Sequence, residues 1–286
     1  MPSNSIRPAA VAGTWYPGSA GALVRDVDEY VAAAGAAPRG TVHGIIAPHA
    51  GLMFSGPVGA HAYKAAAAAG PFDTVVLLGP SHFVGFDGIA VYPSGAFDTP
   101  IGPAPIDAAL AQEILDASPV VQALPQAHGR EHSLEMQLPF VRRLLPDAAI
   151  VPLLMAYQTR ETIEACADVL ARIGAGRRVL LVASTDLSHY LPARAAMEHD
   201  ARVQDCVRAF DPERLLGLFE QYPEGERGRF VACGGGPAIA VMLAARSRGA
   251  REGRVLKYMH SGEISGDNSG VVGYLAAAMG TFSDVH

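Results

Sequence analysis

Lysine is nearly absent from this chain of 286 residues: Lys64 and Lys257 are the only two, and no run of arginines compensates. Nucleic-acid binding needs a basic stripe, so a nucleic-acid partner is not expected. The net charge of −6 favours solubility and says nothing about fold. Cysteine is scarce as well. Cys166, Cys206 and Cys233 form no CxxC pair. An odd, sparse set argues against a disulfide framework and for a reducing compartment. Long apolar runs are missing too: stretches such as 65–69 and 179–183 fall far short of the roughly 20 residues that span a bilayer. Residues 1–7 lack the charged start and apolar core of a secretory signal. The expectation is a cytoplasmic protein with no membrane segment.

What is present points to a large core. Half of the residues are hydrophobic and only 17% are charged, with 31 glycines. That composition suits tight helix–sheet packing rather than a disordered chain. Short β-rich runs without polar alternation occur at 42–47, 74–78, 149–154 and 179–184, with further candidates at 88–92, 255–259 and 271–276. Runs that are apolar on both faces belong in a sheet covered on both sides. Helical spacing of apolar residues is found over 20–34, 57–69, 106–117, 134–145, 159–173, 193–210 and 234–247. Asp211-Pro212 reads as the cap and first residue of another helix, ending near 219. The polar stretch 221–229 and the Gly- and Ser-rich stretch 261–269 read as loops. Alternating strands and helices predict right-handed crossovers and one α/β domain over 1–286. Its layers are three: a central, largely parallel or mixed sheet with helices on both faces.

In an open α/β sheet, ligands bind beyond the carboxyl ends of the strands. Pro48-His49-Ala50-Gly51 follows the first run, Gly79-Pro80-Ser81-His82 the second, and Thr185-Asp186-Leu187-Ser188-His189 the run at 179–184. One histidine at a strand exit is most simply a hydrogen-bonded loop residue. Three at equivalent topological positions point to a metal or catalytic site, since imidazole is the commonest protein ligand for zinc, iron and copper. Asp186 is a candidate ligand, or an acceptor that orients a ring N–H. His43, His61, His128, His199 and His286 read as packing or surface residues.

Two further clusters carry chemistry. In Glu131-His132-Ser133-Leu134-Glu135, Ser133 reads as a helix cap, and a histidine among carboxylates reads equally as a proton-transfer unit or as a structural capping segment. Cys233 precedes Gly234-Gly235-Gly236 at the start of a helix, where the macrodipole favours a thiolate ligand or nucleophile. Simple burial is the alternative for Cys233, and the one that fits Cys166 and Cys206. Trp15-Tyr16 and the segment around Tyr258 and His260 are weaker candidates for lining the same pocket.

Taken together, Gly13-Thr14-Trp15-Tyr16, Ala47-Pro48-His49-Ala50-Gly51, Ala60-His61-Ala62-Tyr63-Lys64, Gly79-Pro80-Ser81-His82, Glu131-His132-Ser133-Leu134-Glu135-Met136, Ser184-Thr185-Asp186 and Cys233-Gly234 resemble the MEMO family, called AmmeMemoRadiSam system protein B in prokaryotes. The likeness runs from about Arg7 to Gly280. That family is similar in fold to the class III, LigB-type extradiol dioxygenases, which are non-haem Fe(II) enzymes. The resemblance implies that His49, His82 and Cys233 hold the metal, with Cys233 where the dioxygenases have a carboxylate. It implies that His189 is the acid/base beside the metal and that His132 lies near a second active-site histidine. Fe(II) is the first metal expected, copper the alternative, and zinc the third. The implied partners are a small-molecule or peptide ligand and the proteins of an associated radical-SAM system. One departure stands out: relatives often carry bulkier residues after the Cys-Gly pair, whereas Gly235 and Gly236 here leave the backbone near Cys233 more flexible.

Three functions follow as expectations: a metal-dependent oxidoreductase related to the extradiol dioxygenases, a binding partner that keeps a dioxygenase-like pocket, and a zinc hydrolase.

Overall fold

The structure is a computed structural model that describes residues 5–283; His286 lies outside them. Its strands are β1 (Ile6–Arg7), β2 (Arg39–Ala47), β3 (Thr74–Pro80), β4 (Ile89–Val91), β5 (Ala96–Phe97), β6 (Ala104–Pro105), β7 (Val121–Ala123), β8 (Ala149–Met155), β9 (Val179–Ser184), β10 (His189–Leu191), β11 (Glu252–His260) and β12 (Val271–Ser283). Its helices are α1 (Ala20–Ala33), α2 (Leu52–Ala69), α3 (Ala108–Ala117), α4 (Leu138–Leu144), α5 (Arg160–Arg172), α6 (Ala193–Arg208), α7 (Pro212–Glu220), α8 (Glu224–Phe230), α9 (Gly235–Ser247) and α10 (Gly262–Ser265).

Nine strands form the main sheet in the order β10-β12-β2-β9-β3-β8-β4-β7, with β11 paired to β12. The centre, β2-β9-β3-β8, is parallel. The flanks are antiparallel where β12 meets β2 and where β4 meets β8. The sheet is therefore mixed. The parallel centre coincides with the runs that are apolar on both faces.

Successive residues of one strand serve opposite layers, because side chains alternate across a pleated sheet. Ile45 and Ala47 of β2, Val75 and Leu77 of β3, and Leu180 and Val182 of β9 enter the core shared with α1, α2 and α4. Ile46, Val76, Leu78, Leu181 and Ala183 enter the core shared with α5, α7 and α9. Burying an aliphatic side chain is worth about 1.5–3 kcal/mol, so both helical layers are held by the same strands. Among the described residues no single helix is long and apolar enough to cross a membrane.

Several local expectations are corrected. The helix expected from 57 begins at Leu52, so Pro57 lies inside α2. Gly56 allows this turn to touch α1: a Cβ there would stand 2.6 Å from the Tyr30 ring. The stretch 221–229, read as a loop, contains most of α8, which buries no side chain and so carries no apolar period. Arg227 pins it, donating to the carbonyls of Tyr222 and Gln158. The loop 261–269 contains the short helix α10. Ser133 is not a cap; its hydroxyl donates to the Pro80 carbonyl. Gly235 and Gly236 do not loosen the backbone. A Cβ at Gly235 would lie 2.3 Å from Phe219, and one at Gly236 would lie 2.9 Å from Gln158, so these glycines let α9 pack closely.

Candidate metal centre

The carboxyl ends of β2, β3 and β9 meet at one edge of the sheet. Each passes directly into a predicted site segment: β2 into Pro48-His49, β3 into Ser81-His82, and β9 into Thr185-Asp186. His189 opens β10, and Cys233 stands just before α9. Their side chains line one cleft of about 480 Å³, together with His132 and Trp15. All six site residues read from the sequence, His49, His82, His132, Asp186, His189 and Cys233, are on its walls.

His49 is buried and its imidazole is held by a chain of hydrogen bonds whose direction can be worked out. Tyr63 donates its hydroxyl to Gln137 Oε1 at 3.0 Å. Gln137 Nε2 therefore donates, to the Pro48 carbonyl at 3.0 Å and to Ser184 Oγ at 2.8 Å. Ser184 spends its one proton on the Ser133 carbonyl, 2.6 Å away. The remaining contact, His49 Nδ1 to Ser184 Oγ at 2.9 Å, must run from the imidazole N–H. That leaves the Nε2 lone pair facing Cys233 Sγ, 3.3 Å away. Burial, and then the neighbouring charge of His82, holds His49 well below its ordinary pKa, so its ring is neutral.

His82 is oriented differently. Its Nδ1 meets Glu131 Oε1 at 2.9 Å, and its backbone N–H donates to Glu131 Oε2 at 2.6 Å. The buried Glu131 carboxylate also accepts the backbone amides of His132 and Ser133. Burial opposes a charge on His82, but hydrogen bonds to Cys233 and Glu131 outweigh it and raise the ring to about 10. Burial also opposes the Glu131 charge, and His82 outweighs it, so the carboxyl falls to about 2. His132 stacks on His82 with centroids 4.5 Å apart. Burial and the His82 charge lower its pKa to about 4.

Ligand atoms of His49, His82 and Cys233 all lie within 4.8 Å of one another. The 3.3 Å between Nε2 and Sγ suits two donors on one ion, since bonds of about 2.1 and 2.3 Å at angles between square and tetrahedral put donors roughly 3.1–3.6 Å apart. A carboxylate behind a ligating imidazole, as Glu131 stands behind His82, is the usual support for such a ligand. The donor set therefore fits a single transition-metal ion. His82, Glu131 and His132 form a second possible group, sharing His82.

His189 Nδ1 lies 2.9 Å from the Gly228 carbonyl of α8 and must donate to it. In the neutral ring its Nε2 is then an acceptor on the cleft wall. Asp186 is buried, and burial raises its pKa. Its Oδ1 accepts the His49 backbone amide at 2.8 Å, and its own amide points at Cys233 Sγ, 3.4 Å away.

Some candidates lie elsewhere. The Glu135 carboxylate binds Arg7, Tyr16 and the amides of Ala10 and Val11; it anchors the amino-terminal segment. Tyr258 donates to Asp200, and neither it nor His260 lines the cleft. Cys166 is simply buried, its thiol pushed up to about 12. The sequence assigns no role in the site to Gln137, Gly228 or Arg229, nor to Tyr63 and Ser184, although these two fall within the family motifs. Ser184, as the last residue of a strand entering the site, was the one with a visible signal.

Comparison with known proteins agrees with the resemblance. The model of the Memo-like protein family matches residues 7–278. The MEMO1 family protein MK0963 of Methanopyrus kandleri is 37% identical over 94% of this chain and 97% of its own. A MEMO1 family protein of Methanothermobacter thermautotrophicus is 36% identical over 94% of this chain and 98% of its own. The solved structure of uncharacterized protein JW3007 from Escherichia coli K12 superposes with a TM-score of 0.59. It covers 84% of this chain and all of that one at 17% identity, a likeness of fold alone. By the extent of the family match and the identity of these relatives, the chain belongs to the Memo-like family.

Proposed function

We propose that His49, His82 and Cys233 hold one metal ion, iron ahead of copper and zinc, and that the protein is an oxidoreductase related to the extradiol dioxygenases. The observation that carries this reading is the convergence of three donors from three separate segments, with the His49 Nε2 lone pair aimed at the meeting point by the Ser184 relay. Bound iron or copper would supply redox chemistry at a coordination position left open by only three protein ligands.

The other residues have assignable tasks. Glu131 holds His82 in register. His189 Nε2, an acceptor, takes a proton from a substrate in the cleft. His132, neutral at pH 7, stands between His82 and Trp15 and holds the His82 ring in place by stacking. Asp186 fixes the backbone on which His49 sits. The three free cysteines support a reducing, cytoplasmic setting.

The test is metal analysis of protein purified without oxygen, followed by oxygen uptake with a panel of catechols. About one iron or copper per chain is expected, and His49→Ala should abolish it. Full metal content in that variant would sink the metal assignment. Metal retention without oxygen uptake across the panel would favour a binding protein, a reading that the thiolate in place of a carboxylate also supports.

A further inference from the structure

A second cleft, of about 450 Å³, opens at the other end of the sheet, beside the amino-terminal ends of β2 and β9. We propose that it binds a small phosphate-bearing molecule. Its walls carry Arg172, Arg177, Arg178 and Arg248 in a chain whose net charge is −6.

Arg248 is the centre of the argument. It is half-buried, and only Nη1 is engaged, donating to the carbonyls of Leu170 at 3.1 Å and Ile173 at 2.9 Å. Among the described residues its Nε and Nη2 have no partner, and no carboxylate forms an ion pair with it. Burial pulls its pKa down. His43 on the same wall is lowered by burial and then by Arg248. A half-buried cation without a counter-charge is unfavourable, and proteins correct it by pairing.

The surrounding charges decide the sign of the cleft. Arg177 is neutralised by Asp107. Arg172 and Arg178 donate to the carbonyls of Asp168 and Ala69, not to carboxylates. The carboxyl ends of α2, α5 and α9 also face the cleft, each equivalent to roughly half a negative charge. Against that stand the guanidinium groups of Arg172, Arg178 and Arg248, none paired to a carboxylate among the described residues, on walls that carry no acidic side chain. Asp73 and Glu113 hold the backbone amides of Arg178 and Gly174 and are not on its walls.

The loop at the rim adds donors. Gly174 and Gly176 have φ of 68° and 75°, the left-handed conformation that glycine permits. The amides of Ala175 and Gly176 have no acceptor among the described residues, and alternating backbone of this kind forms anion-binding concavities. Val42, Phe72 and Val179 provide an apolar wall for the rest of the ligand.

The test is isothermal titration of the full chain with inorganic phosphate at low ionic strength, against chloride of matched ionic strength. Saturable binding of one phosphate is expected. It should weaken at least tenfold in Arg248→Gln, and likewise in the double variant Arg172→Gln/Arg178→Gln, whose side chains are exposed and whose fold is checked by circular dichroism. It should persist in His49→Ala, which removes the proposed metal ligand at the other end of the sheet. No saturable binding, binding unchanged in Arg248→Gln or in the double variant, or binding lost in His49→Ala would each overturn the proposal.

Discussion

Ser184 Oγ lies 2.9 Å from His49 Nδ1 and can only accept from it. Its proton is committed to the Ser133 carbonyl and its other lone pair to Gln137. The hydroxyl at the end of β9 thus selects the tautomer of the histidine at the end of β2.

Ser184→Ala should therefore leave His49 free to choose the other tautomer and leave a buried N–H unpaired. A loss of about 1–3 kcal/mol in stability is expected. Metal affinity should fall about 10–100-fold, the usual effect of losing such support. Competition with a chelator of known affinity measures the second effect; an unchanged affinity would refute the relay.

Glu131→Gln tests the support of His82 and has a pH signature in metal-free protein. His82 is raised from 6.5 to about 10, so its contribution to stability is complete below pH 6.5 and is lost as pH rises through about 10. Glu131 is lowered from 4.5 to about 2, so its contribution is present above pH 4.5 and is lost as pH falls through about 2. The pair is most stabilising between 4.5 and 6.5. In Glu131→Gln the decline between pH 6.5 and 10 should be shallower, though still present because Cys233 also raises His82. Urea midpoints across that range check it, and identical slopes would contradict the assignment.

His189→Gln should separate proton transfer from metal binding. Its Nδ1 is held by the Gly228 carbonyl, and it is not one of the three proposed ligands. Metal content should stay at the wild-type level while turnover falls by a factor on the order of 10²–10⁴. A parallel loss of metal would place His189 among the ligands instead.

Gly234→Ala should damage the site from the backbone side. A Cβ there would sit 2.5 Å from the Ser184 carbonyl oxygen and 2.9 Å from Thr185 Cβ. Overpacking of this kind costs about 1–3 kcal/mol and would shift Cys233, the preceding residue. A lower melting temperature together with weaker metal binding is expected; a change in neither would show that the contact relaxes freely.

Trp15 offers a direct readout. It is the only tryptophan and packs against His132 with ring centroids 4.4 Å apart. Iron(II) or copper added to metal-free protein should quench its emission, and Cys233→Ala should remove most of that response at low metal concentration. Equal quenching in both would show that the metal binds elsewhere.

The layering and most of the pocket are legible in the amino-acid order. Strands that are apolar on both faces can only lie between two layers, and β2, β3 and β9 do. Histidines placed at the exits of parallel strands must share one edge of the sheet, because parallel strands end on the same side. Cys233, Asp186 and Glu131 were visible for their chemistry, although their partners were not. The neighbours of each group depend on the folded chain. Ser184, Gln137 and Tyr63 come from three distant segments and form a relay with no local spacing to announce it. Helix α8 has no buried face, so periodicity could not find it, yet its Gly228 carbonyl sets the tautomer of His189. Glu135 shares a motif with His132 but turns to Arg7 and Tyr16, over 110 residues away in the chain. Periodicity reports which face is buried; hydrogen-bond direction and close packing depend on residues far apart in sequence, and these assign the roles within the site.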